Sequence, residues 1–232
     1  MDVVSRIADA LLYTKPNKQI YTCNNGFFFF KRATLTAVFM AELSVFIMFS
    51  NNIRILGHSG LVAKAAFDIA EKTGKIDPFA AYRYGLFHDV AKFCLPKDKM
   101  YRHPLLGYSL MKDSGHNDIA KICLTHSFPD KHASEYITFY CKGDVVEASA
   151  ISQKLQDVEY DFAVQLIQLC DKISGSDKYL TIEQKRDFYF QKYGIVASCI
   201  DKAYDVFFEI KRMVDSLIGE DLYAFLKINV GM

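Results

Sequence analysis

The sequence lacks an excess of charge of either sign, because 28 lysine and arginine residues stand against 27 aspartate and glutamate residues, for a formal net charge of +1. This balance argues against the whole-chain electrostatic attraction that is typical of proteins binding nucleic acid or anionic membranes. The chain also lacks a basic run long enough to form a tail. We therefore expect neither nucleic acid nor a membrane surface as a partner.

A Cys-x-x-Cys pair is also missing, since the six cysteines are scattered over positions 23, 94, 123, 141, 170 and 199. The opening run Met1-Asp2-Val3-Val4 has no basic residues and does not resemble a secretory signal. Scattered thiols in an intracellular protein are usually reduced and half-buried. These absences predict a cytoplasmic protein without a disulfide framework.

Internal repeats and low-complexity linkers are absent as well. The 232 residues suit one large domain or two small ones, and a hydrophobic share of 51% argues against disorder. From residue 52 onward apolar residues recur at helical spacing, which predicts an all-α fold. We divide the chain into an N-terminal segment (1–51), a core (52–175) and C-terminal helices that pack on the core (176–232).

The N-terminal segment is less regular than the rest. A short amphipathic helix is expected at residues 2–13, and the residues around Asn24-Asn25-Gly26 have the pattern of a β-hairpin. The apolar stretch 33–50 is marginal in length for a bilayer crossing and carries Glu42 at its centre. Burial as a helix or a strand pair is the favoured interpretation, with a membrane span as the alternative.

Two residues that commonly bind metals, His88 and Asp89, stand side by side between predicted helices. One helix begins with Asp77 as N-cap and runs over Pro78 to Leu86; the other runs over Val90 to Leu95. Neighbours on a helix lie about 100° apart and do not share a face. One metal can reach both residues from the helix flank only if its other ligands come from elsewhere in the chain.

Further residues of ligand type lie on otherwise apolar helical stripes, namely His58, His126 and Asp171. A single histidine in such a place is usually a satisfied core residue. Asp171 carries more weight, because burying an unpaired carboxylate costs several kcal/mol and requires a cation, a metal or many donors. Its neighbour Lys172 is expected to point about 100° away and to be a poor partner. Imidazole and carboxylate together suit Zn, Fe or Mn.

The ordered set His58, His88-Asp89 and Asp171 resembles the H…HD…D signature of the HD superfamily of metal-dependent phosphohydrolases. The resemblance covers about residues 52–175 and includes the runs Gly85-Leu86-Phe87-His88-Asp89-Val90-Ala91-Lys92 and Leu169-Cys170-Asp171-Lys172-Ile173. It implies an HD-domain helical bundle with a small N-terminal insertion. It also implies a divalent metal ion held by His58, His88, Asp89 and Asp171.

His103 and His126 resemble the additional histidines of dinuclear members, such as symmetrical diadenosine tetraphosphate hydrolases and HD-GYP phosphodiesterases. They imply a second ion with Asp89 as the bridging ligand. The chain departs from these members because it has no Gly-Tyr-Pro element, and because Ser127 follows His126 where many of them have a second histidine. One or two ions are therefore left open, of Fe, Mn, Zn, Ni or Co, with Mg as a further alternative.

The resemblance also implies roles for two cationic side chains. Lys92 lies three residues after Asp89 and four after His88, and would offset the charge on the scissile phosphate while Asp89 serves as the central catalytic ligand. Arg54, one turn before His58, would bind the substrate phosphate. A solvated surface position is the alternative for each cation.

The predicted function is hydrolysis of a nucleotide, or of another soluble phosphate ester or anhydride, by water activated at the metal. The alternative is a non-catalytic HD-fold module, regulatory or scaffolding, that binds a nucleotide or a partner protein. A small-molecule phosphate is the expected partner of the enzyme, and a homodimer is left open.

Overall fold

The computed structural model describes residues 22–23, 27–28, 53–193 and 198–230. Two short strands, β1 (Thr22–Cys23) and β2 (Phe27–Phe28), pair antiparallel with Thr22 opposite Phe28. This pairing has the direction that the hairpin prediction requires. The turn at 24–26, the helix expected at 2–13 and the apolar stretch 33–50 lie outside the described residues.

The described residues from 53 onward are predominantly helical, which confirms the predicted all-α fold. The α-helices are α1 (Ile53–Thr73), α2 (Pro78–Phe87), α3 (His103–Asp113), α4 (Asn117–Thr125), α5 (Ser134–Tyr140), α6 (Val145–Gln156), α7 (Phe162–Ile173), α8 (Ile182–Tyr193), α9 (Ser198–Ile218) and α10 (Leu222–Phe225). Two 3₁₀ helices, Val90–Cys94 and Lys97–Arg102, connect α2 to α3. Among the described helices, none combines the length and apolarity that a bilayer crossing requires.

The chain breaks its helix at the central pair of ligand-type residues. α2 begins where predicted, with the Asp77 side chain accepting a hydrogen bond from the Ala80 amide, and it ends at Phe87. Asp89 has φ −106° and ψ 13°, outside the helical region. The helix predicted at Val90 to Leu95 is therefore a tighter 3₁₀ helix. Because the backbone turns between them, His88 and Asp89 can converge on one centre, which neighbours on a continuous helix cannot do.

The main core is formed where α1, α7 and α9 pack together. Its fully buried members include Val62, Ile69, Ile167, Phe207 and Val214. Burial of side chains of this size contributes about 1.5–3 kcal/mol each to stability. Because α1 and α7 each carry one predicted ligand, this core fixes the distance between His58 and Asp171.

Gly85 is the point of closest approach between α2 and α1. A Cβ at this position would lie 2.6 Å from both the nitrogen and the Cα of Ala63, and 2.8 Å from the carbonyl carbon of Val62. These are backbone atoms of a buried helix and cannot move aside. Gly85→Ala is therefore expected to lower the free energy of unfolding by about 3 kcal/mol, the upper end of the usual penalty for overpacking.

Gly60→Ala is the matched control, because this glycine also lies within a helix, α1, but a Cβ there would meet nothing within 4 Å. Alanine favours a helix over glycine by about 0.8–1 kcal/mol, so this variant should be as stable as the parent or slightly more so. Urea unfolding followed by circular dichroism measures both changes. Equal stability of Gly85→Ala and the parent would contradict the close approach of the two helices.

Candidate metal centre

The structure brings all six predicted ligands to one place. They come from separate elements, and in chain order they are His58 in α1, His88 and Asp89 after α2, His103 at the start of α3, His126 directly after α4, and Asp171 in α7. Two overlapping groups of these side chains have ligand atoms within 4.8 Å of one another: His58 with His88 and Asp171, and His88 with Asp89 and His126.

Asp89 lies at the middle of the cluster, and its two carboxylate oxygens face different partners. Oδ1 is 3.1 Å from Nε2 of His103 and 3.3 Å from Nε2 of His126. Oδ2 faces the opposite half, at 3.4 Å from Nε2 of His88 and 3.8 Å from Nε2 of His58. A carboxylate placed in this way can serve two neighbouring cations at once.

Asp171 completes the half of the cluster that contains His58 and His88. Its Oδ1 atom is 2.9 Å from Nε2 of His58 and 3.8 Å from Nε2 of His88. This half therefore has two imidazoles and a carboxylate of its own. The half formed by His103 and His126 also has two imidazoles, but its only carboxylate among the described ligands is the shared Asp89.

Each of the four histidines is held by a hydrogen bond from its Nδ1 atom to a backbone carbonyl. The acceptors are Gly175 for His58 at 3.0 Å, Gly85 for His88 at 2.7 Å, Met100 for His103 at 2.7 Å, and Cys123 for His126 at 2.9 Å. A carbonyl only accepts, so Nδ1 carries the hydrogen in all four rings. The Nε2 atoms that face the centre are consequently the ones free to bind a metal ion, and the hydrogen bonds to the carbonyls fix the ring orientation.

The atoms at the centre need a cation. Nε2 of His103 lies only 2.9 Å from Nε2 of His126, although both rings use Nδ1 as the donor. Nε2 of His88 and Oδ1 of Asp89 are buried without a hydrogen-bond partner among the described residues. Facing lone pairs and an unpaired buried carboxylate oxygen are unfavourable without a positive charge between them. The donor set of imidazole and carboxylate fits a divalent transition metal.

Electrostatics favour ionised carboxylates and mostly neutral imidazoles. Burial opposes ionisation of Asp89, but the charges of His88 and Lys92 outweigh it and hold the pKa of Asp89 well below its usual range. Burial lowers the pKa of His103 to about 3, and it also lowers the pKa of His126. For His88 burial lowers the pKa, but the nearby carboxylates of Asp89 and Asp171 together outweigh it and raise the pKa.

Two lysines lie against the carboxylates. Nζ of Lys92 is 2.5 Å from Oδ2 of Asp89, as its position on the same side of the chain predicted. The expectation that Lys172 does not pair with Asp171 is wrong, since its Nζ atom lies 3.6 Å from Oδ2 of Asp171. The Lys172 side chain is buried and its ammonium group sits 4.8 Å from the centre of the Phe207 ring. A long side chain folded over an aromatic ring can reach a neighbour that its Cβ direction does not indicate.

Among the described residues of the cluster, solvent exposure is uneven. The side chains of His58 and Asp171 are each 14% exposed and that of Lys92 is 26% exposed, whereas those of His88, Asp89 and His126 are at most 1% exposed. Within the described part of the chain, the most exposed approach to the cluster therefore lies beside His58, Asp171 and Lys92.

Other polar residues considered from the sequence lie apart from the cluster. Arg54 is exposed in the first turn of α1, one turn before His58, and its role in binding phosphate stays a prediction. His116 is buried at the start of α4, and His132 lies exposed before α5. The structure places neither histidine in contact with the six ligands, in agreement with their omission from the predicted site.

Comparison with known families finds a match to the model described as HD domain over residues 55–176, more than half of the chain. The match includes all six of the clustered ligands as well as Lys92 and Lys172. Curated proteins and solved structures gave no match to the chain.

Proposed function

The chain belongs to the HD domain family, and on that premise we propose that it is a metal-dependent phosphohydrolase acting on a nucleotide or another small phosphate ester or anhydride. The observation that carries the proposal is the shared carboxylate of Asp89, whose two oxygens face two separate pairs of histidines at 3.1–3.8 Å. Such an arrangement suits two cations with one bridging ligand.

The residues divide between two ions. His58, His88, Asp171 and Oδ2 of Asp89 would hold one ion, and His103, His126 and Oδ1 of Asp89 would hold the other, with His88 near enough to His126 to border both. When bound, two such ions lower the pKa of a coordinated water towards neutrality and polarise a phosphoryl oxygen. Three protein ligands around an ion leave coordination positions for water and substrate.

The rest of the chemistry falls to the protein. Lys92 stands at the open side with its ammonium group directed at the cluster, where it would offset negative charge that grows on the phosphate. The buried floor formed by His88, His103 and His126 keeps solvent from the far side of the ligands. The four Nδ1 hydrogen bonds hold the imidazoles in position before any ion arrives.

The test combines metal analysis with a substrate panel. Protein purified without chelators should contain close to two transition-metal ions per chain and should hydrolyse at least one member of a panel of nucleotides, phosphate monoesters and phosphodiesters. Metal uptake without any turnover would instead favour a regulatory or scaffolding module that keeps the metal centre.

His126→Ala tests the division into two ions. Because His126 approaches Asp89 through Oδ1, its loss should leave one ion per chain, held by His58, His88, Asp171 and Oδ2 of Asp89, and should reduce turnover while the fold is kept. His132→Ala is the control, since the side chain of this histidine is exposed and makes no hydrogen bond or ion pair with the six ligands. Unchanged metal content and rate in the His126 variant would mean that the centre holds a single ion.

A further inference from the structure

A pair of hydroxyl groups borders the half of the centre formed by His103 and His126. Tyr140, the last residue of α5, places its hydroxyl oxygen beside the His103 ring, 3.5 Å from both Nδ1 and Nε2. The same oxygen is 3.0 Å from Oγ of Ser127, which directly follows His126 and is buried. The phenol thus stands at the edge of the metal centre, and Ser127 is its nearest hydrogen-bonding partner among the described residues.

The hydroxyl groups of Ser127 and Tyr140 together have one proton that is not used in the hydrogen bond between them. Two hydroxyl groups carry two protons, but only one is used in the link between Ser127 and Tyr140. Nδ1 of His103 cannot accept the second, because it donates to the carbonyl of Met100 at 2.7 Å. The remaining proton belongs to Tyr140 if Ser127 is the donor of the link, and to Ser127 if the direction is reversed.

The charge at the centre selects between the two directions. Oδ1 of Asp89 lies 3.1 Å from Nε2 of His103, and the Tyr140 hydroxyl lies beside the same ring, so the phenol stands in the field of a carboxylate. A negative environment attracts the positive end of an O–H bond. Ser127 therefore donates to Tyr140, and the phenolic proton is left for an acceptor at the centre, which in the metal-loaded protein would be an oxygen of the bound anion.

We propose that the Tyr140 hydroxyl, oriented by Ser127, donates a hydrogen bond to an oxygen of the phosphate group that binds at the metal centre, an inference that rests on the proposed function. The phosphate would meet Lys92 and Tyr140 from different elements, one following α2 and the other ending α5. A neutral donor at this position recognises phosphate without adding charge to a centre that already holds two lysines beside its carboxylates.

The experiment measures the affinity of the metal-loaded protein for inorganic phosphate by calorimetry. Because a hydrogen bond to a charged acceptor contributes substantially to binding free energy, Tyr140→Phe should weaken phosphate binding about 10- to 100-fold. Metal content should be unchanged. Ser127→Ala should weaken binding less, Ser127→Thr should restore it because the hydroxyl is kept, and the double variant should bind no more weakly than Tyr140→Phe alone.

Tyr160→Phe is the matched control, because it also removes a phenol that donates one hydrogen bond, to the carbonyl of Phe128 at 2.8 Å. That carbonyl keeps a second donor, Gln168, at 2.8 Å, so phosphate affinity should equal that of the parent. Parental phosphate affinity in Tyr140→Phe would overturn the inference. So would additive losses from Ser127→Ala and Tyr140→Phe, or a metal-loaded parent that does not bind phosphate.

The two proposals fail separately. Weakened phosphate binding in Tyr140→Phe, in a protein whose parent turns over no member of the ester panel, would support the phosphate contact and contradict the hydrolase. Parental phosphate affinity in Tyr140→Phe, in a protein whose parent is active, would contradict the contact and leave the hydrolase standing.

Discussion

Asp89→Asn is expected to remove both metal ions and to lower turnover by more than the roughly 10²–10³-fold that follows loss of a single charge-stabilising group. The reason is that this one carboxylate faces all four histidines, at 3.1 and 3.3 Å through Oδ1 and at 3.4 and 3.8 Å through Oδ2. Asparagine keeps the shape but loses the negative charge, and its amide nitrogen has no lone pair for a metal. Metal analysis and turnover of the best phosphate ester measure the two losses.

Asp68→Asn is the control for this substitution. Asp68 lies on the outer side of α1 and pairs with Lys64 at 2.5 Å, so it has a cationic partner but no imidazole neighbour. Exposed pairs of this kind contribute about 0–1 kcal/mol, and both metal content and turnover should be parental. Two retained ions in Asp89→Asn would show that the carboxylate is not a shared ligand.

Lys92→Ala is expected to reduce the catalytic rate constant by about 10²–10³-fold while metal content stays close to that of the parent. Burial opposes the charge of Lys92, but Asp89 and Asp171 outweigh it and raise its pKa, so the group is an ammonium at neutral pH. Its position at the open side lets it meet the phosphate, whereas the ions are held by imidazoles and carboxylates. Lys92→Arg keeps the charge with a different shape and reach, and should retain part of the rate.

Lys64→Ala serves as the control for Lys92, since Lys64 also forms a short pair with an aspartate but is largely exposed on α1. Its loss should leave rate and metal content unchanged. If Lys92→Ala kept the parental rate, the only role of this lysine would be to neutralise the negative charge of the Asp89 carboxylate. Loss of metal together with rate would assign Lys92 to the ligand geometry rather than to the phosphate.

Much of the helical fold could be predicted because it depends on local chemistry. Asp77 and Pro78 mark the start of α2 through capping and a fixed φ, and Gly74 ends α1 with a φ of +62°. The 3₁₀ helix Val90–Cys94 could not be distinguished from an α-helix, because its apolar residues fit both patterns and tertiary packing decides between them.

The ligands were predictable because their order along the chain matches a known signature, and because buried imidazoles and carboxylates stand out against apolar stripes. A further local signal was available. In His88, His103 and His126 the Nδ1 atom donates to the carbonyl three residues earlier, an arrangement that a histidine at the end or start of a helix can adopt by itself. Which residues share Oδ1 of Asp89 depends on long-range packing and could not be predicted.

Lys172 and Tyr140 were missed for different physical reasons. The direction of a Cβ atom is a poor guide to a flexible ammonium group, so helical spacing separated Lys172 from Asp171 although the two are paired at 3.6 Å. Tyr140 lies in a region of short helices without a clear apolar stripe. Its approach to His103, 37 positions away in the chain, follows from tertiary packing, because residues of α5 share one hydrophobic cluster with Leu124 of α4 and Leu105 of α3.

The hydrogen bond between His58 and the carbonyl of Gly175 joins residues that are 117 positions apart. The close approach is possible because Gly57 has no Cβ, which would otherwise lie 2.3 Å from the carbonyl oxygen of Ser176. Contacts of such long sequence separation form after local helices during folding, because the ends of a long loop must first be brought together. Metal uptake during refolding should therefore lag behind helix formation. During synthesis, the metal centre can assemble only after the chain has emerged from the ribosome beyond Ser176.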